Sequence, residues 1–368
     1  MDVVSDRQAL ISLAHCVEPG DAAAGRLLAE HGAVELVRRV ATGRTGLRHG
    51  DALEARMATA DVDHADARAE RCGARIVTRV DREWPTQLNA LGEQTPFALW
   101  VTGAADLRLL ALRSLAVVGA RACTAYGEEI ARSWSAELAS QQWCVLSGAA
   151  YGIDAAAHRG ALAAEGTTVA VLAGGVDVPY PRAHVALIAA IADQGLVISE
   201  TPPGEAVRRQ RFLSRNRIIA ALGRATLVVE AAIRSGTAST AHAAAAMNRP
   251  VLAVPGPVTS AASAGCHRMI SDGEAIVAGD VADVLGVLDL GHPRSPAVVS
   301  RSPRDDLDLR ERVVLDAMPA RGAIGLDGLI RSAGLGREDV MAAAGVLTGL
   351  GVVVEESGGW RLAPRPRA

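Results

Sequence analysis

The chain has 368 residues, 49% of them apolar and 3% aromatic, and a formal net charge of −3. Its length allows two or three domains of roughly 100–200 residues each. The charge excludes a protein that is basic as a whole, so any nucleic-acid surface must be a local patch. Lysine is absent, so all 38 basic residues are arginines, planar cations suited to bidentate phosphate contacts. The five cysteines (Cys16, Cys72, Cys123, Cys144, Cys266) are scattered, without CxxC spacing. They indicate neither a disulfide framework nor a zinc site, and point to a reducing cytoplasm. The start, MDVVSDRQAL, has no basic and apolar leader pattern, and no long uninterrupted apolar run follows, so no signal peptide or membrane span is expected.

Residues 1–72 read as a small helical domain. Helical spacing runs over Arg7–Cys16, Ala22–His31, Ala33–Ala41 and Gly50–Cys72, broken at Glu18-Pro19-Gly20, Gly32 and Thr42–Gly46. Short helices joined by glycine turns fit either a plain bundle or a hairpin-type DNA module. Residues 73–290 form the main domain. Arg75–Val80 and Phe97–Val101 look like strands that extend a central sheet. From Leu115 the chain alternates regularly. Strands Leu115–Val118, Cys144–Leu146, Thr168–Leu172, Leu196–Ile198, Thr226–Val229 and Val251–Val254 are separated by helices Tyr126–Ser140, Asp154–Ala164, Ala183–Ala192, one containing Arg215–Leu222, and Thr237–Met247. That pattern predicts an α/β fold with a Rossmann-like, doubly wound parallel sheet and right-handed crossovers. Residues 291–306 (GHPRSPAVVSRSPRDD) read as a linker. In 307–368, three helices (Leu309–Met318, Leu326–Ser332, Arg337–Leu350) and two strands (Val352–Glu355, Trp360–Leu362) predict a winged helix. Its third helix carries only Arg337 as a cation, beside Glu338 and Asp339, which favours partner docking over base reading.

Four loops should meet at the carboxyl edge of the sheet: Gly119-Ala120-Arg121 leading to Thr124, Ser147-Gly148-Ala149-Ala150-Tyr151-Gly152, Gly174-Gly175-Val176-Asp177 and Ser199–Gly204. Small residues there let a ligand approach backbone amides at helix N-termini, the arrangement of an anion pocket. Neither GxGxxG after the first strand nor GxxxxGK[ST] is present, so no dinucleotide or nucleoside-triphosphate cofactor is expected. A basic run follows. Between Thr201 and Arg224 lie Arg208, Arg209, Arg211, Arg215, Arg217 and Arg224 against Glu205 alone, with Phe212 and Asn216 among them. Such a run is commonly a solvated face. With Arg121 and Arg182 on nearby loops it also fits a groove that tracks a phosphodiester backbone, with Phe212, Tyr126 and Tyr151 available to stack bases without reading sequence. Asp154 and His158 have a metal-ligand spacing but no third partner, so a capping aspartate and a packed histidine are expected, and no metal. Glu230, ending an apolar strand, could serve as a base or pair with an arginine of the run.

The motifs GARACTAYG (119–127), SGAAYGIDAAAH (147–158), GGVDVPYP (174–181), SETPPG (199–204), RFLSRNRIIA (211–220), VVEA (228–231), Ser235-Gly236-Thr237 and VPGPV (254–258) come in one order and spacing. In this the chain resembles the DNA-processing protein A family, closely over about 115–280. The resemblance implies a cytoplasmic, homodimeric protein, paired through its Rossmann-like domain, that binds single-stranded DNA and loads the RecA recombinase during natural transformation. It implies a cationic pocket containing Arg121, Arg182, Arg215 and Arg217. Two positions depart from the family pattern: Tyr151 stands where arginine is usual, and Gly265-Cys266-His267 replaces a GTN-type turn. The competing reading is a phosphoribohydrolase-like nucleotide enzyme. That family's catalytic glutamate is here Thr240, whose hydroxyl cannot do a carboxylate's acid–base work. An oxidoreductase is excluded by the missing fingerprint, and the chain is expected not to be an enzyme.

Overall fold

The structure is a computed structural model describing residues 5–47, 50–59, 62–233, 235–288, 307–320, 322–356 and 358–363. The linker expected over 291–306 lies outside these residues. The chain divides into two compact units after His292.

The first unit opens with five helices: α1 (Asp6–Cys16), α2 (Ala22–His31), α3 (Ala33–Ala41), α4 (Gly50–Thr59) and α5 (Val62–Arg71). The single helix expected over Gly50–Cys72 is thus described as two. Strands β1 (Ala74–Thr78) and β2 (Ala98–Thr102) follow, then α6 (Leu107–Leu112), β3 (Ser114–Val118), α7 (Ala125–Ser140), β4 (Cys144–Ser147), α8 (Ile153–Ala163) and β5 (Thr168–Leu172). The alternation continues through α9 (Val185–Gln194), β6 (Leu196–Ser199), α10 (Arg209–Leu222), β7 (Thr226–Val228), α11 (Thr237–Ala246) and β8 (Val251–Ala253). It ends with α12 (Ala264–Ser271), β9 (Ile276–Val277) and α13 (Val281–Leu288).

The nine strands form one sheet in the order β1-β2-β6-β5-β4-β3-β7-β8-β9. Strands from β6 to β9 are parallel, and β1 and β2 extend the sheet antiparallel. Residues Leu115–Val118 are all at most 4% exposed, because helices cover both faces. Side chains alternate across the pleat. Leu115, Val117, Val145 and Leu227 pack against α7, α8 and α13, whereas Ala116, Val118, Leu146 and Val228 pack against α10, α11 and α12. The strand order reverses between β3 and β7, which opens a crevice at their carboxyl ends.

The helices of 1–72 do not form a separate body, contrary to the domain boundary expected there. Leu10, Ile11, Leu13, Leu28 and Leu36 share a core with Ile76, Trp100, Leu172 and Val197 of the sheet. Helix α1 is buried along seven of its eleven residues, and a helix apolar around most of its circumference needs cover on several sides. The turn after α1 is also strapped to α10. Glu18 accepts from Arg211 Nε at 3.1 Å and lies 3.3 Å from Arg208. Burial pushes the Glu18 carboxyl up, but the Arg211 hydrogen bond and the charges of Arg211, Arg208 and Arg56 outweigh it and hold the group below its ordinary pKa.

The second unit contains α14 (Leu309–Asp316), α15 (Leu326–Ala333), α16 (Arg337–Gly349) and a hairpin of β10 (Val353–Glu356) and β11 (Gly359–Leu362). Ile324 bridges to Trp360, and Leu307, Val314, Leu329, Val340, Leu347 and Trp360 make its core. Asp308 and Glu311 close a capping box at the start of α14.

Candidate nucleic-acid interface

A crevice of about 900 Å³ lies where the strand order reverses. Its walls come from the β3 loop (Gly119, Arg121), the β4 loop (Ala150, Asp154), the β7 loop (Ser235, Gly236, Thr237) and α10. Helix α10 contributes Arg209, Phe212, Asn216 and Ile219, spaced i, i+3, i+7 and i+10 along one face, with Leu213 and Arg215 beside them. At the mouth, the Arg121 guanidinium carbon sits 4.7 Å from the centre of the Phe212 ring, a cation–π contact. Phe212 also faces Tyr180 at 5.6 Å, and Tyr151 meets His184 edge-on at 4.9 Å. Arg121, Tyr151, Tyr180 and Phe212 line a small side pocket together. Two of the chain's three tyrosines and one of its two phenylalanines are therefore gathered at this mouth.

The helix N-termini expected to seat an anion are mostly occupied by the protein's own carboxylates. At the start of α7, Glu230 accepts from Thr124 N at 2.9 Å and from Thr124 Oγ at 2.6 Å, while Thr124 Oγ accepts from Gly127 N. Among the described residues Glu230 pairs with no arginine; it is the anion for that helix dipole. In the second residue of α8, Asp154 reaches back over the β4 loop, accepting from Gly148 N at 3.2 Å and Ala150 N at 3.4 Å. It is not the cap expected of it, because the cap position of α8 is Gly152, which has no side chain to serve. The N-terminus of α11 is different. Gly236 has open space around its α-carbon, and Asn216 Nδ2 holds the turn by donating to Ser239 Oγ at 2.8 Å and to the Gly236 carbonyl. Ser235, Gly236 and Thr237 line the crevice with that helix end directed at it.

The arginine run separates around α10. Arg209 is exposed on the crevice face. Arg215 is 6% exposed on the crevice floor, donating from Nη1 to the Gly148 carbonyl at 2.8 Å and to the Val171 carbonyl, and from Nε to Asn216 Oδ1 at 3.1 Å. Burial lowers its pKa to about 10 despite the attraction of Asp154. Arg217 does not reach the crevice. Its two terminal nitrogens bind Glu200 at 2.8 Å each, and Nε donates to the Gln94 carbonyl. Residues two apart on a helix point about 200° apart, so Arg215 and Arg217 cannot share a face. Arg211 and Arg208 turn to Glu18 and Glu205.

Other candidates from the sequence lie elsewhere. Ser147 is buried and donates to the Val117 carbonyl at 2.7 Å. Gly148 is enclosed by Arg215. Gly174 packs under Val207, Gly175 donates to the Glu205 carbonyl, and Gly204 donates to Asp177 Oδ1 at 2.7 Å, so the β5 and β6 loops close on each other rather than on a ligand. Arg182 is exposed in the turn Arg182–His184 immediately after Tyr180 and Pro181. Sequence reasoning undervalued Arg209 and Tyr180. The i, i+3 spacing of Arg209 to Phe212 was the available signal for the first.

His158 is fully buried. Thr168 Oγ donates to the Val145 carbonyl and so accepts from His158 Nδ1–H at 2.7 Å, which fixes the tautomer. Burial, with the Arg215 and His184 charges, depresses its pKa to about 3. The folded state therefore takes up the proton later than the unfolded chain, whose histidine titrates near 6.5. Stability from this group is complete above about pH 6.5 and is lost at roughly 1.4 kcal/mol per pH unit as pH falls toward 3. Urea midpoints for wild type and His158→Gln between pH 7 and pH 4 should diverge most at neutral pH and converge as the solution is acidified. Parallel curves would contradict the assignment.

These features define a Rossmann-like α/β protein whose carboxyl-edge crevice is lined by arginines and small residues. The comparisons place it further. The family model for DNA recombination-mediator protein A matches residues 75–289. A DNA processing protein DprA of Mycobacterium tuberculosis is 42% identical, the match covering 95% of this chain and 92% of that protein. The Streptococcus pneumoniae protein of that name is 39% identical over 54% of this chain and 69% of its own length. The X-ray structure of DNA processing protein A from S. pneumoniae superposes with a TM-score of 0.65 at 29% identity, covering 78% of this chain and 98% of that one. The chain belongs to the DNA recombination-mediator protein A (DprA/Smf) family, whose role is DNA processing and recombination mediation. Among the described residues, no helix is long and apolar enough to cross a membrane.

Proposed function

We propose that this chain binds single-stranded DNA without sequence preference, at the carboxyl-edge crevice, and delivers the strand to the RecA recombinase in the cytoplasm. The observation that carries the reading is the pairing at the crevice mouth. Arg121 and Arg209 have no carboxylate partner among the described residues, and they stand beside the Phe212, Tyr180 and Tyr151 rings. Guanidiniums bind phosphates of any strand, and rings stack on any base, so the combination binds without reading sequence. Ser235, Gly236 and Thr237 at the start of α11 supply backbone and hydroxyl donors to a phosphate. A Helicobacter pylori DNA processing protein A, a fold neighbour with a TM-score of 0.53 and 24% identity, is described by its own single-stranded DNA binding mode.

Handover to RecA, pairing of two copies through the Rossmann-like unit, and service in natural transformation follow from the family resemblance. We read the second unit as a winged helix used for docking. Its α16 exposes Met341 and Val346, and Leu350 just after it is exposed too, with Arg337 as the cation of the helix and Asp339 bonded to Arg310 at 2.8 Å. Asp154, which lines the crevice, and Glu230, at the end of β7, both accept from backbone amides, which supports a binder without turnover.

Fluorescence anisotropy with labelled oligothymidylate and a duplex of equal length, at several salt concentrations, tests the core of this reading. Single strand should bind more tightly than duplex, with log affinity falling by about 0.7 per neutralised phosphate for each unit of log salt. Equal binding of duplex, or affinity independent of salt, would refute it. Adding RecA to the same titration tests the partner.

A further inference from the structure

We propose that the opposite, amino edge of the sheet carries a second binding surface, suited to a peptide segment with two apolar side chains set among carboxylates. The residues that build it immediately precede parallel strands. Arg113 follows α6 and leads into β3, Trp143 leads into β4, Arg224 lies just before β7 and Arg249 just before β8. Trp143, 1% exposed, is covered by two cations: the guanidinium carbons of Arg113 and Arg224 lie 4.9 and 5.9 Å from its ring centre. Arg249 donates to the Gly223 and Gln87 carbonyls, and Arg108 donates to the Arg82 carbonyl at 3.3 Å. None of these four arginines has a carboxylate partner among the described residues. In a chain of net charge −3, these four guanidiniums suit an anionic partner, the local carboxylates Asp106 and Glu83 being engaged by the Leu109 and Leu107 amides at the start of α6.

Between these cations, α6 presents two leucines to water: Leu109 is 64% and Leu112 54% exposed. They are i and i+3 on a helix, and therefore neighbours on one face. The leucines decide the class of partner. A phosphodiester backbone has no use for exposed aliphatic side chains, and the one aromatic ring of the patch is buried beneath the guanidiniums and cannot stack a base. An acidic segment carrying apolar anchors satisfies both halves of the surface. Because the crevice lies beyond the carboxyl ends of the same strands, such a peptide and a DNA strand can be held at the same time.

The test is anisotropy of a fluorescein-labelled peptide in which two leucines, three positions apart, are flanked by aspartates, titrated with the full chain. Saturable binding is expected. It should fall about tenfold or more in the double variant Arg113→Glu/Arg224→Glu, and fall measurably in Leu109→Ser/Leu112→Ser. A control peptide with asparagine for aspartate should not bind. Excess oligothymidylate should leave peptide binding unchanged, and the melting temperature of each variant reports that it is folded, so this result reads out whether or not the crevice binds DNA. Absence of saturable binding to wild type, or equal binding by the charge-reversed variant, would overturn the proposal. So would a loss of oligothymidylate affinity in that variant, which would make the edge a nucleic-acid surface.

Discussion

Replacing Arg121 and Arg209 together by alanine should weaken oligothymidylate binding about a hundredfold and leave thermal stability nearly untouched. Both side chains are exposed at the crevice mouth, and neither is tied to a carboxylate among the described residues. A hydrogen bond between a cation and a phosphate contributes about 1.5–3 kcal/mol, so removing two gives an effect of that order. The loss should be the same for every sequence, since phosphates position a strand without specifying it. The salt dependence should become shallower by about 0.7 for each phosphate contact removed. Exposed substitutions of this kind usually change stability by no more than about 0.5 kcal/mol. An unaltered affinity, or a loss confined to particular sequences, would show that the strand runs elsewhere.

Arg215→Ala should do the reverse, damaging the fold first and binding only as a consequence. Its guanidinium joins the β4 loop to β5 through the Gly148 and Val171 carbonyls, and its charge opposes the burial that raises the pKa of Asp154. Removing it strands two carbonyls and leaves that carboxyl with its pKa pushed further upward by burial, without the opposing charge. Breaking a buried charged contact on one side costs about 3–5 kcal/mol, a large share of the 5–15 kcal/mol by which folded proteins are stable. The urea midpoint should drop accordingly, and Arg215→Lys should not restore it, because an ammonium cannot reproduce the guanidinium fork. A wild-type midpoint in Arg215→Ala would move Arg215 into the group of ligand-binding cations.

The contrast between these two variants shows how much of the site could be read in advance. The concentration of arginine after Thr201 was visible, as were the glycine loops and Phe212. Their division of labour was not. Arg217 looked equivalent to Arg215 in a run with one acid, but Glu200 and Glu18 come from other parts of the chain and neutralise Arg217 and Arg211. Likewise, the amides of Gly148 and Ala150 seemed available for a phosphate until Asp154, four to six residues later, folded back over them. The edge built by Arg113, Arg224 and Arg249 could not be read in advance: Arg224 stood at the end of the basic run, but it lies before β7, away from the crevice. Its members are single residues before separate strands, gathered only because parallel strands start at one level.

The fold class lay in the linear pattern, since a strand buried on both faces must be continuously apolar and a crossover helix must follow it. The small residues after each strand likewise marked the edge at which a ligand can approach the backbone. Tertiary structure decided which charges face solvent and which hold the protein together. A helix turns about 100° per residue, so neighbours in a basic run diverge, and the carboxylates that claim some of them arrive from distant segments. It also joined the first helices to the sheet, because the nearly all-round apolar surface of α1 has no place to be buried except against the core of the larger unit.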